Sequence, residues 1–239
     1  MEQQLGWLGV VRHGQSTGNV IAQDAEEGGL EAIDIPERDA DVPLSDTGRE
    51  QAKAVNQWLR DEKPDIAVVS PYLRTRQTAQ IALDGTGVPA VVDERLRDRE
   101  LGVLDLLTGR GVHARLPDEA ARRQRLGKFY YRPPGGESWA DVLLRLRALL
   151  RELRDDHPGG RVLFFGHEAT VLLVRYLTEA LDEAQLMAVA RATTIANASI
   201  SSWRRVDGMW KPERFNHVEH LHAEGAPPTK QEDVNAEPV

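Results

Sequence analysis

Short apolar runs alternate with helical patterns along most of the chain. Four of these runs have the length and composition of buried strands, each bounded by polar or turn residues: 7–11, 66–69, 90–92 and 162–165. Strands that are apolar throughout belong to a sheet that is covered on both faces. Helices between the strands favour right-handed crossovers. We therefore expect an α/β fold: a three-layer sandwich with a mainly parallel central sheet flanked by helices.

Helical periodicity fills the segments between the predicted strands. Thr47-Gly48-Arg49-Glu50 has the spacing of a capping box, followed by an apolar stripe. Two late segments have the pattern of strands that pair antiparallel at one edge of the sheet. The predicted helices cover 47–60, 72–83, 138–156 and 169–180, and the late strands cover 193–204 and 209–215.

Length and composition predict a single domain over residues 1–219, in which about 100–136 form a helical or loop lid insertion. Residues 220–239 have few apolar side chains, which predicts a flexible tail. Two segments have opposite charge: 22–41 predicts a long acidic loop, and 109–132 is basic. Each is either solvated surface or, alternatively, part of a paired lid in which the basic segment presents cations to a substrate.

The overall charge limits the partners of this chain. It carries 38 acidic and 30 basic side chains, a formal net charge of -8, which opposes binding to nucleic acid or to anionic membranes. Cysteine is absent, so thiol nucleophiles, disulfides and thiolate zinc sites are excluded. No apolar run approaches the length of about 18 residues that a spanning helix needs. We expect a cytoplasmic protein, and a homodimer stays open.

Charged and nucleophilic side chains follow each of the four predicted parallel strands. In crossover sheets, ligands bind beyond the carboxyl ends of the strands. The residues that stand there are Arg12 and His13, then Ser70 to Arg74, then Arg97 to Glu100, and finally Gly166, His167 and Glu168.

This combination suits phosphoryl transfer. A guanidinium offers paired donors to phosphate oxygens, and a neutral imidazole can attack phosphorus. Gly14 would let the backbone approach an oxyanion. A carboxylic acid, either Asp98 or Glu100, would protonate the departing alkoxide. Two cations and a second imidazole offset the transition-state charge, so we expect no metal and no cofactor. The spacing of His217, His220 and His222 does not support a metal site.

Several blocks of the sequence resemble the histidine phosphatase superfamily, in its phosphoglycerate mutase-like branch. The resemblance lies in "VVRHGQSTGN", "PLSDTGREQA", "SPYLRTRQTA", "LRDRELG", "PPGGESWADVLLRL" and "FFGHEATVLLVRYL", in that order, over residues 7 to about 180. It implies that His13 is the nucleophile, that Arg12, Arg74 and His167 complete the phosphate pocket, and that Ser16 and Asn19 line or brace it.

The same resemblance points to Asp98 as the general acid and base, where the family commonly has a glutamate, with Glu100 as the alternative. Arg132 and Tyr131 resemble a substrate-contacting stretch of the fructose 2,6-bisphosphatases. This chain departs from those enzymes at Gly135-Gly136, where they have a lysine, and at Glu168, where they have glutamine. We expect Glu168 to face either a cation on the substrate or Arg132.

The sequence thus predicts a metal-independent phosphatase that hydrolyses a phosphomonoester, a small phosphorylated metabolite, through a phosphohistidine on His13. A mutase of the same chemistry and a non-catalytic module that binds phosphorylated ligands are the alternatives. A mobile tail with no role in closing the site favours hydrolysis over the mutase reaction.

Overall fold

The structure is a computed structural model that describes residues 4–230. A six-stranded sheet with the order β3-β2-β4-β1-β5-β6 forms its centre. The first four strands in chain order run parallel, and β5 and β6 join antiparallel at one edge. This confirms the predicted α/β class and the mainly parallel sheet. The strands are β1 (Trp7–Arg12), β2 (Ile66–Val69), β3 (Ala90–Val92), β4 (Arg161–Gly166), β5 (Ile200–Val206) and β6 (Met209–His217).

Helices cover both faces of the sheet. Side chains of one strand alternate between the two faces, so Leu8 and Val10 of β1 pack into one apolar cluster and Trp7 and Val11 into the other. The first cluster contains the buried stripe of α6, and the second contains that of α2. The described helices are α1 (Thr17–Glu27), α2 (Asp46–Glu62), α3 (Leu73–Leu83), α4 (Gly109–Arg115), α5 (Pro117–Tyr130), α6 (Trp139–Asp156), α7 (Glu168–Thr178), α8 (Glu183–Ala192) and α9 (Glu219–Ala223).

Two helix starts differ from the sequence prediction. Helix α2 begins at Asp46 because the Ser45 hydroxyl accepts the N–H of Gly48, so the capping residue lies two positions before Thr47. The acidic segment is also not all loop, because α1 occupies residues 17–27. Ser16 and Asn19 form a capping box that starts α1, and Ala25 packs against Ile33.

The late segment 193–199 was predicted as strand but forms a buried loop before β5. Its backbone is used for contacts with the end of β1: Ala198 N–H donates to the carbonyl of His13 (3.0 Å). Ala198 has φ 53°, a left-handed conformation that ends a regular strand. Apolar side chains at Ile195 and Ile200 are buried, which explains the strand-like pattern.

The prediction of a flexible tail from residue 220 is wrong for residues 220–230. Helix α9 begins at Glu219, and Leu221 is fully buried in the apolar cluster that contains α2. Gln51 of α2 donates to the carbonyl of Pro227 (2.8 Å), and the Thr229 hydroxyl donates to Asn197 (3.0 Å). A few well-placed contacts therefore fix a segment of low apolar content. The remainder of the predicted tail, 231–239, lies outside the described residues.

The acidic segment and the predicted lid insertion contact each other. Arg115 pairs with Glu31 (3.0 Å), the Thr108 hydroxyl donates to the carbonyl of Leu30, and Ala32 and Leu107 form a β-bridge. These contacts support the alternative in which the two segments pair.

Within residues 4–230, no helix has the length and apolar character needed to cross a membrane.

Candidate active site

The carboxyl edge of the sheet positions His13. It follows β1 directly, and its backbone N–H donates to the carbonyl of Gly166 at the end of β4 (2.9 Å). Its own carbonyl accepts the N–H of Ala198 (3.0 Å) and the side-chain amide of Asn197 (3.3 Å). His13 is 3 % exposed. Three segments of the chain therefore hold one buried histidine at the floor of a cavity.

The ring of His13 has a defined tautomer. Its Nδ1 lies 2.7 Å from the carbonyl oxygen of Gly14, and a carbonyl only accepts, so Nδ1 carries the proton. Burial lowers the pKa of His13 well below its usual value, and the charges of Arg74, His167 and Arg12 lower it further. The ring is neutral at pH 7, and Nε2 carries the lone pair of a nucleophile.

Two guanidinium groups line the cavity beside this ring. Arg12 is buried and donates to the carbonyl of Ile195, and its Nε has no partner among the described residues. Arg74, in the first turn of α3, donates from Nη1 to the backbone and side chain of Asp39 (2.7 and 2.8 Å). Its Nη2 donates to Asp98 (3.1 Å). Charged donors thus stand where phosphate oxygens would lie.

Asp98 lies in the cavity and Glu100 does not. One carboxylate oxygen of Asp98 lies 3.1 Å from both Arg74 Nη2 and His167 Nδ1, and the other accepts the N–H of Arg99 (2.9 Å). Burial raises the pKa of Asp98, but His167, Arg74 and the Arg99 N–H together hold it well below its usual range. Glu100 is exposed, and within residues 4–230 the hydrogen bond that its carboxylate accepts comes from Gly102 N–H at 3.4 Å. The geometry favours Asp98 of the two carboxylates.

His167 lies behind His13, with the ring centroids 5.3 Å apart. It is fully buried, and its Nε2 lies 2.8 Å from the hydroxyl of Ser70 while Nδ1 faces Asp98. Burial lowers the pKa of His167, although Asp98 raises it. His167 is not among the residues that line the cavity. Its predicted contact with a phosphoryl group stays a prediction.

The structure brings Ser16, Asn19 and Glu168 to the cavity, but it does not bring Arg132 there. Ser16 and Asn19 cap α1, and Asn19 also accepts from Asn197 (3.2 Å), so both brace the wall. The Glu168 carboxylate accepts the N–H of Ile195 (3.1 Å).

Arg132 was predicted to bind substrate, but its side chain is 63 % exposed and its guanidinium pairs with Asp141. The first turn of α6 provides this carboxylate, and the pairing turns Arg132 away from the cavity. None of the arginines and lysines between 109 and 132 lines the cavity, so that segment does not present cations to it.

Gly14 makes a close backbone contact that the sequence did not predict, and its predicted approach to an oxyanion stays a prediction. A Cβ at Gly14 would lie 2.5 Å from the carbonyl oxygen of Gly48, and a Cβ at Gly48 would lie 2.0 Å from that of Gln15. The two glycines allow the loop after β1 to touch the start of α2. The close approach is between two backbone segments of the protein.

Sequence reasoning missed the groups that hold the Asp98 loop. The Glu137 carboxylate accepts from Arg97 (2.6 Å), from Arg145 (3.0 Å) and from the N–H of Glu100 (3.2 Å). Arg145 also donates to the carbonyl of Asp98 (3.0 Å). Asp39 was also missed as an individual residue. Glu137 stands in the quoted "GGES" block, which was the available signal, whereas Asp39 lies in a segment without a pattern.

The cavity at this edge of the sheet has a volume of about 200 Å³. Within residues 4–230, no three histidine, aspartate or glutamate side chains are grouped so that they would hold a metal ion. The groups around His13 in this cavity are a neutral imidazole, the guanidiniums of Arg12 and Arg74, and the ionised carboxylate of Asp98.

Fold and site together define a class of protein that carries a buried histidine and paired arginines at the carboxyl ends of parallel strands. The chain belongs to the histidine phosphatase superfamily (branch 1), whose family model matches residues 8–218.

Some relatives of this chain are named as a phosphatase and others as a phosphoglycerate mutase. The chain is 33 % identical over 210 residues, 86 % of either chain, to glucosyl-3-phosphoglycerate phosphatase of Mycobacterium tuberculosis. The solved structure of the mycobacterial enzyme of that name superposes with a TM-score of 0.72 at 28 % identity and covers 88 % of this chain and 98 % of the other. A relative from Yersinia enterocolitica named Probable phosphoglycerate mutase GpmB is 31 % identical over 160 residues, 66 % of this chain and 67 % of that protein.

Proposed function

We propose that this protein is a metal-independent phosphatase that hydrolyses a small phosphomonoester through a phosphohistidine on His13, with Asp98 as the general acid and base. One observation carries the proposal: the hydrogen bond from Nδ1 of His13 to the Gly14 carbonyl leaves Nε2 as a lone pair beside Arg12 and Arg74. A cytoplasmic location and a homodimer stay predictions from the sequence.

The first step is an attack of His13 Nε2 on phosphorus, which breaks the bond between phosphorus and the ester oxygen. Arg12 and Arg74 bind the equatorial oxygens and stabilise the charge that they carry in the transition state. The low pKa of His13 keeps the ring neutral and therefore nucleophilic. The Gly14 carbonyl accepts a hydrogen bond from the Nδ1–H group. This hydrogen bond also stabilises the positive charge on the ring once Nε2 is phosphorylated.

The leaving oxygen needs a proton, and Asp98 is ionised in the ligand-free site. Its low pKa depends on Arg74 and His167. A phosphate dianion on Arg74 compensates that positive charge and adds a negative charge beside the carboxylate, and both effects raise the pKa of Asp98. The substrate itself thus promotes protonation of Asp98, which then transfers the proton to the alkoxide.

The second step returns the enzyme to its starting state. The Asp98 carboxylate takes a proton from water as the water oxygen attacks phosphorus, and the bond between phosphorus and Nε2 breaks. The products are inorganic phosphate, neutral His13 and protonated Asp98, which releases its proton to solvent when phosphate leaves Arg74. The Asp98 side chain is 28 % exposed, so water reaches the base directly.

Hydrolysis is supported over the mutase reaction by the extent of the matches. The relative named as a phosphatase matches 86 % of this chain, and the relative named as a mutase matches 66 %. The predicted mobile tail no longer contributes to this choice, since residues 220–230 are packed.

The proposal is tested by hydrolysis of p-nitrophenyl phosphate in the presence of a chelator. We expect turnover that the chelator does not reduce and that His13→Ala abolishes. Circular dichroism and thermal unfolding of His13→Ala would establish that the variant folds. Turnover that is lost on chelation, or that persists in a folded His13→Ala variant, would contradict the proposal. Interconversion of 2- and 3-phosphoglycerate without net phosphate release would identify a mutase instead.

A further inference from the structure

The walls of the cavity beyond His13 are acidic and apolar. Five carboxylate side chains line it, together with three guanidiniums and several aliphatic side chains. The carboxylates come from four different segments, so they are not a feature of one charged run: Glu37, Asp39, Asp98, Asp105 and Glu168.

The guanidiniums of the cavity are engaged at its phosphate end or with the protein. Arg12 and Arg74 flank His13 and would bind the phosphoryl group itself. Arg99 is 8 % exposed, and its Nε donates to the carbonyl of Glu137 (2.7 Å). Arginines and lysines of the basic segment 109–132 do not line the cavity. A second anionic group on a substrate would therefore meet carboxylates.

Two of these carboxylates, Asp39 and Asp105, lie close enough for the charge of one to act on the other. Burial raises the pKa of Asp105, and the neighbouring negative charges of Asp39 and Glu100 raise it further, while Arg74 lowers it. Asp105 lies just after the 3-10 turn Gly102–Leu104, and Asp39 lies in the 3-10 turn Asp39–Asp41 of the acidic segment. Groups that influence each other in this way share one negative potential.

The rest of the lining offers contacts that an uncharged chain can use. Ile33, Ile35, Leu101 and Leu107 contribute apolar surface, and Trp139 lies beside them. Hydroxyl groups can donate to the carboxylates of this lining, whereas a carboxylate cannot donate.

We propose that the substrate is a phosphomonoester whose alcohol part carries no carboxylate and no second phosphate, and is instead a hydroxylated or cationic group. The inference rests on the proposed phosphatase function and specifies its substrate class. It separates this chain from a phosphatase or a mutase that selects phosphorylated carboxylic acids.

Two matched pairs of substrates test the inference. Glycerol 3-phosphate and 3-phosphoglycerate differ only in a hydroxymethyl group against a carboxylate, and O-phosphoethanolamine differs from O-phosphoserine only by the absence of a carboxylate. We expect kcat/KM to be at least about tenfold higher for the member without the carboxylate in both pairs. p-Nitrophenyl phosphate serves as the reference for catalysis.

A matched pair of variants tests the electrostatic cause. Asp105→Asn removes one cavity charge at constant size, and we expect it to reduce the preference for glycerol 3-phosphate by about threefold or more. Glu50→Gln makes the same change in charge on α2, where Glu50 is exposed and pairs with Lys53, and we expect the preference to stay the same.

The outcomes separate the two proposals. Hydrolysis of p-nitrophenyl phosphate with an equal or reversed preference in either pair overturns the inference and leaves the phosphatase function standing. An unchanged preference in Asp105→Asn overturns the electrostatic cause. Failure to hydrolyse any of these esters overturns the phosphatase function itself, and the inference with it.

Discussion

Asp39 pairs with the guanidinium of Arg74, which a bound phosphate would need. Arg74 donates to its carboxylate (2.8 Å) and also to its backbone carbonyl (2.7 Å). The substitution Asp39→Asn keeps the size of the side chain and the backbone contact but removes the negative charge. We therefore expect phosphate and phosphomonoesters to bind more tightly to the Asp39→Asn variant.

The magnitude follows from the exposure of the pair. Arg74 is buried, with 7 % of its side chain exposed, but 46 % of the Asp39 side chain is exposed, so solvent screens the interaction. A pair of this kind contributes about 1 kcal/mol, which corresponds to roughly fivefold in affinity. Repulsion between the Asp39 carboxylate and the bound phosphate acts in the same direction.

The assay is competitive inhibition of p-nitrophenyl phosphate hydrolysis by inorganic phosphate. The inhibition constant should fall about fivefold in Asp39→Asn. Asp41→Asn is the control, because Asp41 lies in the same turn and its described ion pair is with exposed Arg38. An inhibition constant that is unchanged or higher in Asp39→Asn, or that falls equally in Asp41→Asn, would refute this reasoning.

Three further predictions concern the acid, the stability and the backbone of the site. Asp98→Asn should lower kcat by about 10²- to 10⁴-fold, and Glu100→Gln should lower it less than about threefold; the reverse order would move the role to Glu100. Burial lowers the pKa of His220 to about 4. The buried neutral ring therefore makes its whole contribution to the free energy of unfolding above about pH 6.5, and this contribution is lost as the pH falls towards 4. Urea unfolding at pH 7 and pH 5 should show a smaller loss in His220→Gln than in the wild type, and an equal loss would contradict this. Gly14→Ala should lower the free energy of unfolding by about 1–3 kcal/mol and reduce kcat, since its Cβ would lie 2.5 Å from the Gly48 carbonyl oxygen; unchanged unfolding would show that the contact relaxes freely.

The strand segments, the mainly parallel sheet and the main site groups were predictable because their signals are local. Each apolar run is short and is followed within a few residues by a charged or imidazole side chain, and parallel strands bring those ends to one edge. His13, Arg74 and Asp98 meet for this reason. The resemblance already favoured Asp98 over Glu100, and the tertiary contacts of Asp98 with Arg74 and His167 give the physical reason for that choice.

Other features depend on contacts that leave no periodic pattern. The loop 195–199 has the composition of a strand, but its backbone forms hydrogen bonds with residues at the end of β1 instead of continuing β5. Arg132 directly precedes a family-like block, yet Asp141 in the first turn of α6 pairs with it. Residues 220–230 have few apolar side chains, and buried Leu221 and Ala226 hold them together with hydrogen bonds to Gln51 and Asn197.

The central claim is that phosphoryl transfer proceeds through Nε2 of His13. We would quench the enzyme in alkali during turnover of p-nitrophenyl phosphate and locate the phosphoryl group by mass spectrometry of its peptides, since phosphohistidine is stable to base and labile to acid. The account predicts a phosphorylated peptide that contains His13 in the wild type and none in His13→Ala. In Asp98→Asn, where hydrolysis of the phosphohistidine is slow, the amount of this peptide should be larger. A phosphoryl group on another residue, or wild-type turnover in folded His13→Ala, would contradict it.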